Sequence, residues 1–579
     1  MLEVKKTMTS MHPGLILIIG AVLAGILPGR LRQFSMVAAP ALAIFAVFNL
    51  EIGTVWTIPF INNLDLMVLK VDRLSWVFSL IFTIMALLGN IYALHNKNWG
   101  EATSSLLYTG GSLGVVLAGD WLTLIFFWEL MAVSSVFLIW YRGTAQSRKA
   151  GFRYILVHMF GGNLLLAGIF LKISAGQPEV MSLTGTTDAA FWLILAGVAI
   201  NAAIPPLHSW LTDAYPEGTI TGSVFLSSFT TKVAVYSLIR IFPGTELLIW
   251  AGVIMALYGV VFAILENDVR RLLAYHIVSQ VGFMVAGVGM GTELALNGST
   301  AHAYSHILYK SLLFMGAGAV IYATGKRKLS DLGGLYKQMP WVTLFFAVAA
   351  FSISGIPLFN GFISKSMIIS AAGYSHMPSV ELLLYLASIG TFLSIALKLL
   401  YFMFFGEDKG LETKKLPTNM YIAMAGGAFL CTMYGLAPNL LYNILPYPVD
   451  YHPYGLYHII DTVQLLAATL IVFWIFLPYM ATKLMISVDT DWFYRKPLKV
   501  LIHGVVNVVC YIREYSAAKL LLALKSTVPF FANPVKFAPQ AVEASLVAYD
   551  EDHYRFPVGM TVLMSIVVFL LTFSYIIFA

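Results

Sequence analysis

Apolar stretches of membrane-crossing length recur along the whole chain, separated by short polar joints. A helix that crosses a bilayer needs about 20 largely apolar residues. On that rule the sequence predicts about sixteen spans, from 12–29 and 35–52 at one end to 460–485 and 556–578 at the other. Two segments break the pattern. Residues 53–72 alternate apolar and polar positions around Asn62-Asn63, which predicts a short hairpin outside the membrane. Asp489–Lys499 is polar and aromatic, and Leu498–Pro529 is amphipathic, with Lys499, His503, Asn507, Glu514 and Lys525 near one stripe. That stretch predicts a surface helix roughly 45 Å long at about 1.5 Å per residue. Asp550–Arg555 then forms a charged bridge to a final anchoring span, and the Met1–His12 stretch is too short and mixed to fold alone.

Two spans carry interruptions, at Ile204-Pro205-Pro206-Leu207-His208 and at Ser354-Gly355-Ile356-Pro357-Leu358. Broken hydrophobic segments at matching places point to an inverted repeat with an ion path at the breaks. Asn201 and Lys365 lie near the two breaks, followed at similar spacing by Lys232 and Lys398. The expected fold is an all-α polytopic membrane protein with two inverted five-helix repeats and discontinuous helices. Residues 1–100 would hold the first helices and the hairpin, 101–245 the first repeat and 246–410 the second. Further spans would fill 411–488, and the amphipathic lateral helix and terminal span 489–579.

Composition supports the membrane reading. The chain is 59% hydrophobic and 11% charged, against about 25% charged residues in soluble domains. The net charge of +6 comes from short loops after odd-numbered spans, such as Arg142, Arg148 and Lys149, or Lys326, Arg327 and Lys328. It therefore reads as topology, with odd loops in the cytoplasm, and not as nucleic-acid binding. Lys5 and Lys6 run against that orientation. Cys431 and Cys510 stand in apolar sequence with no CxxC, and no nucleotide-binding glycine loop is present, so no cofactor is implied. Energy for any work would come from another chain.

Against this apolar background, Glu129, Lys232, Lys310, Lys365, Lys398, His158, His302 and His306 sit inside predicted spans. A charge at the bilayer centre costs about 2.5–3.5 kcal/mol on insertion scales, and such residues usually pair across helices and pass ions. Burial disfavours a carboxylate and a nearby cation favours it, so a buried carboxyl can act as a switch. A buried lysine can exchange its proton, which arginine cannot. His302, His306 and Lys310 share one helix face at i, i+4 and i+8, and histidine suits a proton relay. A metal at that His pair lacks a neighbouring carboxylate or cysteine. Each charge also has a static reading: an ion pair for Glu129, a backbone-held cation for each lysine, a snorkelling role for Lys398 near a cytoplasmic end.

Several phrases carry a resemblance: Phe127-Trp128-Glu129-Leu130-Met131, Pro206-Leu207-His208-Ser209-Trp210-Leu211, Thr231-Lys232-Val233-Ala234-Val235-Tyr236, Arg271-Leu272-Leu273-Ala274-Tyr275, His302-x3-His306-x3-Lys310 and Gly361-Phe362-Ile363-Ser364-Lys365. Together they resemble the antiporter-like membrane subunits of respiratory complex I and of Mrp-type cation/proton antiporters, the D-type Mrp component among them. The resemblance is strong over residues 70–410. It implies that Glu129 is the buried carboxylate of the first half-channel and Lys232 the link between halves. It makes His302, His306 and Lys310 the central relay, and Lys365 the exit. The family normally has a lysine where this chain has Asn201, so either another group, such as His158 or Lys232, is the partner of Glu129, or the first half works differently or not at all. The resemblance also implies other membrane subunits as partners, in a plasma-membrane antiporter or respiratory complex, with lipid around it. The ions implied are protons, with Na+ as the alternative. A redox-driven pump and a non-transporting brace stay open beside the antiporter.

Overall fold

The computed structural model describes residues 11–61, 64–480, 488–532 and 557–578. The Met1–Ser10 stretch, the Asn62-Asn63 turn and the Asp550–Arg555 bridge lie outside them. The chain divides into two units, Met1–Asp491 and Trp492–Ala579. In the first, α1 (Pro13–Ile26) and α2 (Gly29–Phe48) precede a hairpin of β1 (Val55–Ile61) and β2 (Leu64–Lys70). The strands are antiparallel, with Val55 opposite Lys70 and Ile61 opposite Leu64. Next come α3 (Arg73–Ala93), α4 (Trp99–Leu117), α5 (Trp121–Trp140), α6 (Ala145–Ser174), α7 (Ala189–Asn201), α8 (Ser209–Ala214), α9 (Gly222–Leu226) and α10 (Thr230–Ile241). They are followed by α11 (Leu247–Leu265), α12 (Val269–Met290), α13 (Glu293–Thr324), α14 (Pro340–Ser354), α15 (Asn360–Tyr374) and α16 (Pro378–Thr391), which continues in π-helical turns to Phe405. The unit ends with α17 (Thr418–Leu436), the short α18 (Asn439–Tyr442) and α19 (Leu456–Phe476).

Among the described residues, ten helical segments are long and apolar enough to cross a membrane, and four further apolar helices are shorter. The protein is an all-α polytopic membrane protein. Among the described residues, sixteen uninterrupted spans are not found. The stretch expected as one span over 340–372 is α14 and α15, and the stretch over 189–207 stops as a helix at Asn201. In both, proline and a left-handed glycine or tight turn end the hydrogen-bond ladder.

The two repeats follow one order. Each has two plain helices, then a long one (30 residues in α6, 32 in α13), then a helix broken near its middle, then an interrupted helix. Loop contacts fix their opposite directions. The joints after α3, α5, α8, α11 and α13 meet on one face. There Glu101 of α4 accepts a hydrogen bond from Thr219 (2.6 Å), Arg142 and Arg327 both pair with Glu217, and Arg327 pairs with Asp268. The joints after β2, α6, α10 and α12 meet on the other face, through Arg240–Asp72 (2.7 Å), Leu183 N to Ile241 O (2.7 Å) and Gly244 N to Val288 O (2.9 Å). So α4 starts on the charged face and α11 on the opposite one. His158 and His306 stand at the same place counted from the starts of α6 and α13. Asn201 and Lys365 do not match in this way, because Asn201 closes the half-helix before its break and Lys365 lies in the half-helix after its own.

Helices α11 and α12 pack backbone to backbone. A Cβ on Gly252 would overlap Ala286 N, and one on Gly282 would stand 2.5 Å from Ala256 N. Small residues permit such close approach in lipid, where van der Waals packing drives association. Gly282→Val is therefore expected to destabilise the chain by about 1–3 kcal/mol or more. A fall in the thermal unfolding temperature in detergent checks this, and an unchanged value would contradict the packing.

The second unit contains most of α20 (Asp491–Arg495), α21 (Pro497–Ala532) and α22 (Val558–Phe578). Helix α21 has 36 residues, none of them buried within the structure, and would be about 54 Å long at the standard rise.

Candidate functional site

Interruptions and ends of helices in the repeats leave backbone carbonyls without intrahelical partners, and in three places a lysine takes them. Lys232 Nζ donates to Ser227 O (2.6 Å) at the gap between α9 and α10. Lys365 Nζ donates to Ile353 O (2.7 Å) at the end of α14. Lys398, on the π-helical turn after α16, donates to Ile264 O (2.5 Å) and Glu266 O (2.8 Å) at the end of α11. Helix ends leave such carbonyls without partners, so each lysine has a local reason for its position. The fourth differs. Lys310 Nζ on α13 is buried and has no hydrogen-bond partner.

Around Lys310 the polar groups form a line through the second repeat. Ser311, its neighbour, meets Ser228 in the α9–α10 gap (2.8 Å). One turn back on α13, both ring nitrogens of His306 are buried without partners. The His302 and His306 ring centroids are 6.4 Å apart. His302 Nδ1 is 3.0 Å from Ser364 Oγ, and its Nε2 is 3.3 Å from the Tyr309 hydroxyl. Ser364 adjoins Lys365, whose Nζ lies 5.2 Å from the Phe283 ring centroid. Beyond Lys365 is a cavity of about 50 Å³, also lined by Ser354, Tyr385, His458 and Thr462. A space of that size, with Lys365, Ser354, Ser366 and Thr462 among its walls, has room for water. A side branch runs from His276 Nε2 to Ser394 Oγ (2.7 Å), close in sequence to Lys398.

The first repeat is sparser. Glu129, half-buried on α5, lies against Gly162 of α6, where a Cβ would overlap its Oε1. One turn before Gly162, His158 is wedged between Tyr154 (centroids 4.2 Å apart) and Trp210 (4.4 Å). Asn201 faces His158 across α6 and α7, yet neither ring nitrogen nor either amide atom has a hydrogen-bond partner within range. Trp210 Nε1 donates to Ile200 O (2.8 Å) and so covers a carbonyl left by the break after α7. The structure thus gathers Lys232, Lys310, His306, His302 and Lys365 into one region and leaves Glu129, His158 and Asn201 as a separate cluster.

Sequence reasoning missed one charged group. Asp489, beyond α19, is buried and accepts hydrogen bonds from the hydroxyls of Tyr258 on α11 and Tyr275 on α12 (2.6 Å for the latter). Its Oδ2 lies 3.3 Å from His208 Nε2. An aspartate shortly after an apolar run was the available signal, but its partners are more than two hundred residues away in sequence. Ser364, which joins His302 to the turn of Lys365, and Tyr309 and Gln280, which continue from the other ring nitrogen of His302, were also not singled out.

Residues 118–394 match the family model described as NADH:quinone oxidoreductase/Mrp antiporter, transmembrane. An uncharacterised protein of Methanocaldococcus jannaschii is 33% identical over 389 residues, covering 63% of this chain and 80% of that one. The D component of the Na+/H+ antiporter of Alkalihalophilus pseudofirmus is 32% identical over 325 residues, covering 52% of this chain and 65% of that one. A chain in the structure of the membrane-bound sulfane sulfur reductase, an archaeal respiratory membrane complex, shares the fold with a TM-score of 0.70 at 22% identity, over 97% of this chain and 99% of that one. The chain belongs to the NADH:quinone oxidoreductase/Mrp antiporter family of membrane subunits, the family to which its buried lysine and histidine motifs pointed.

Proposed function

We propose that the chain carries protons through a buried Glu/Lys/His relay, as one subunit of a multisubunit Mrp-type cation/proton antiporter in the plasma membrane. The observation that carries this reading is Lys310, a buried amine with no partner, standing between backbone-held Lys232 and Lys365. A group fixed permanently as a cation would be expected to have acceptors; one that gains and loses a proton needs room for both states. Protons would pass from Lys232 through Lys310, His306 and His302 to Lys365 and the cavity beyond it. Glu129 and His158 would serve the first half, and Lys398 would end the second. The charged-face loops would lie in the cytoplasm, following the positive-inside rule. Other membrane subunits and lipid are the partners, and Na+ is the alternative or counter-transported ion.

A redox-driven complex is the second reading, favoured by the end-to-end fold match with a chain of the sulfane sulfur reductase complex. The test reconstitutes the whole complex into vesicles with an internal pH dye. Proton movement driven by an imposed Na+ gradient supports the antiporter, and movement only on adding an electron donor supports the second reading. In either case Glu129→Gln and Lys310→Ala are expected to slow transport about a hundredfold, the scale of a lost proton-transfer group. If both variants transport at the parental rate, the chain is a brace and the relay reading is wrong.

A further inference from the structure

Asp489 is unusual among the charges inside the first unit. It comes from neither repeat but from the stretch after α19, shortly ahead of Trp492, where the second unit begins. It nevertheless meets the first repeat's broken helix and the second repeat's first two helices at once. His208 follows the break after α7, Tyr258 lies on α11 and Tyr275 on α12. The side chains of His208 and Asp489 are almost completely buried.

The hydrogen bonds settle the chemistry of this cluster. Asp489 Oδ1 accepts from the Tyr258 hydroxyl and from Thr490 N (2.5 Å). Its Oδ2 accepts from the Tyr275 hydroxyl (2.6 Å) and faces His208 Nε2 at 3.3 Å. A carboxylate receiving this many donors acts only as an acceptor. The proton of neutral His208 is therefore held on Nε2, and Nδ1 is left with its lone pair. That Nδ1 is buried and unpartnered. His208 itself packs edge-on against Tyr258 (ring centroids 4.8 Å apart), and Trp210, two residues on in the chain, packs on His158.

We propose that Asp489 is a positioning residue that fixes the tautomer of His208, so that His208 takes up and returns a proton at Nδ1 as a member of the first half's path. A proton adds to Nδ1 to give an imidazolium, and the same proton leaves from Nδ1. Asp489 remains ionised and its Nε2–H···Oδ2 contact persists throughout. The pair gives the first half a group able to become a cation at the break after α7. It also ties that site to the chain segment leading into the C-terminal helices. The transport consequence rests on the relay reading above, but the tautomer does not.

The test uses the intact complex with 15N-labelled histidine, in lipid, by solid-state NMR. The His208 signal is identified by its loss in His208→Gln. In the parent, His208 is expected with Nε2 protonated, and in Asp489→Asn, whose amide offers an N–H to the ring, with a substantial Nδ1–H population. Transport is expected to fall about tenfold or more in Asp489→Asn and to be largely kept in Asp489→Glu. A packing role predicts the reverse order, because Asn is nearly isosteric with Asp and Glu is longer. A parental His208 protonated at Nδ1 overturns the proposal even if Asp489→Asn fails to assemble. So does a tautomer that is the same in the parent and in Asp489→Asn. Unchanged transport in both Glu129→Gln and Lys310→Ala would instead remove the relay reading and leave the tautomer result standing.

Discussion

Replacing Lys310 with methionine is expected to stop transport and, at the same time, to raise the unfolding temperature of the chain. The two effects have one cause. Lys310 Nζ is buried on α13 with no hydrogen-bond acceptor, and both nitrogens of His306, one turn away, are likewise unpartnered. An amine in such a place is costly to the fold in its charged form. Methionine has a similar length and no polar hydrogens to satisfy. Replacing even a buried ion pair, whose charges have partners to lose, with apolar groups of like volume is often neutral or stabilising by about 1–4 kcal/mol, and Lys310 has no such partner. Transport should fall about a hundredfold, as for loss of a proton-transfer group. Lys310→Arg separates charge from proton exchange, since arginine keeps its proton; it should be as inactive as Lys310→Met without the gain in stability. Lys232→Met should behave oppositely in the thermal assay, because it strips the donor from Ser227 O at the α9–α10 gap and leaves a buried carbonyl unpaired, at a cost of about 1–3 kcal/mol. Unfolding followed by tryptophan fluorescence and proton flux in vesicles read the two effects separately. A lower unfolding temperature in Lys310→Met, or flux close to the parent's, would show Lys310 to be a structural cation.

What the sequence made legible followed from strong local signals. Apolar runs located the membrane helices, and Pro205-Pro206 and Gly355-Ile356-Pro357 located two breaks, because proline lacks an N–H and glycine accepts a left-handed turn at φ +73°. The interruption at Ser227-Ser228-Phe229 and the π-helical turns after α16 have neither residue at the break and passed unnoticed. The polar run Ser227-Ser228-Phe229-Thr230-Thr231-Lys232 was the available hint: hydroxyls and a lysine that can serve loose carbonyls. The match of Asn201 with Lys365 rested on spacing and did not survive, whereas the match of His158 with His306 shows only once the starts of α6 and α13 are known. Contacts that depend on tertiary closure could not be read at all. Nothing near residue 489 announces His208, Tyr258 or Tyr275, and nothing near Gly162 announces Glu129.

That last contact sets up the second large effect. Gly162→Ala is expected to reduce transport nearly as much as Glu129→Gln, about a hundredfold on the scale of a proton-transfer group, although it adds a single methyl group and removes no titratable atom. The added Cβ would fall far inside van der Waals contact of Glu129 Oε1, so the carboxyl must leave its place against α6. Its lipid-side alternatives lie around Phe126 and Val133, exposed residues of the same helix, and away from His158. Gly161→Ala is the matched control. It makes the same chemical change on the same helix, but its Cβ would meet Ile200 Cγ2 at 3.2 Å, a contact that a few tenths of an ångström of movement relieve. It should cost some stability and little transport. Alanine also favours helix over glycine by about 1 kcal/mol, so neither variant should weaken α6 through its backbone. Flux measured side by side for the two alanine variants, with Glu129→Gln as the reference, decides the matter. Equal flux in Gly161→Ala and Gly162→Ala would mean that the position of the Glu129 carboxyl against α6 is not what the first half uses.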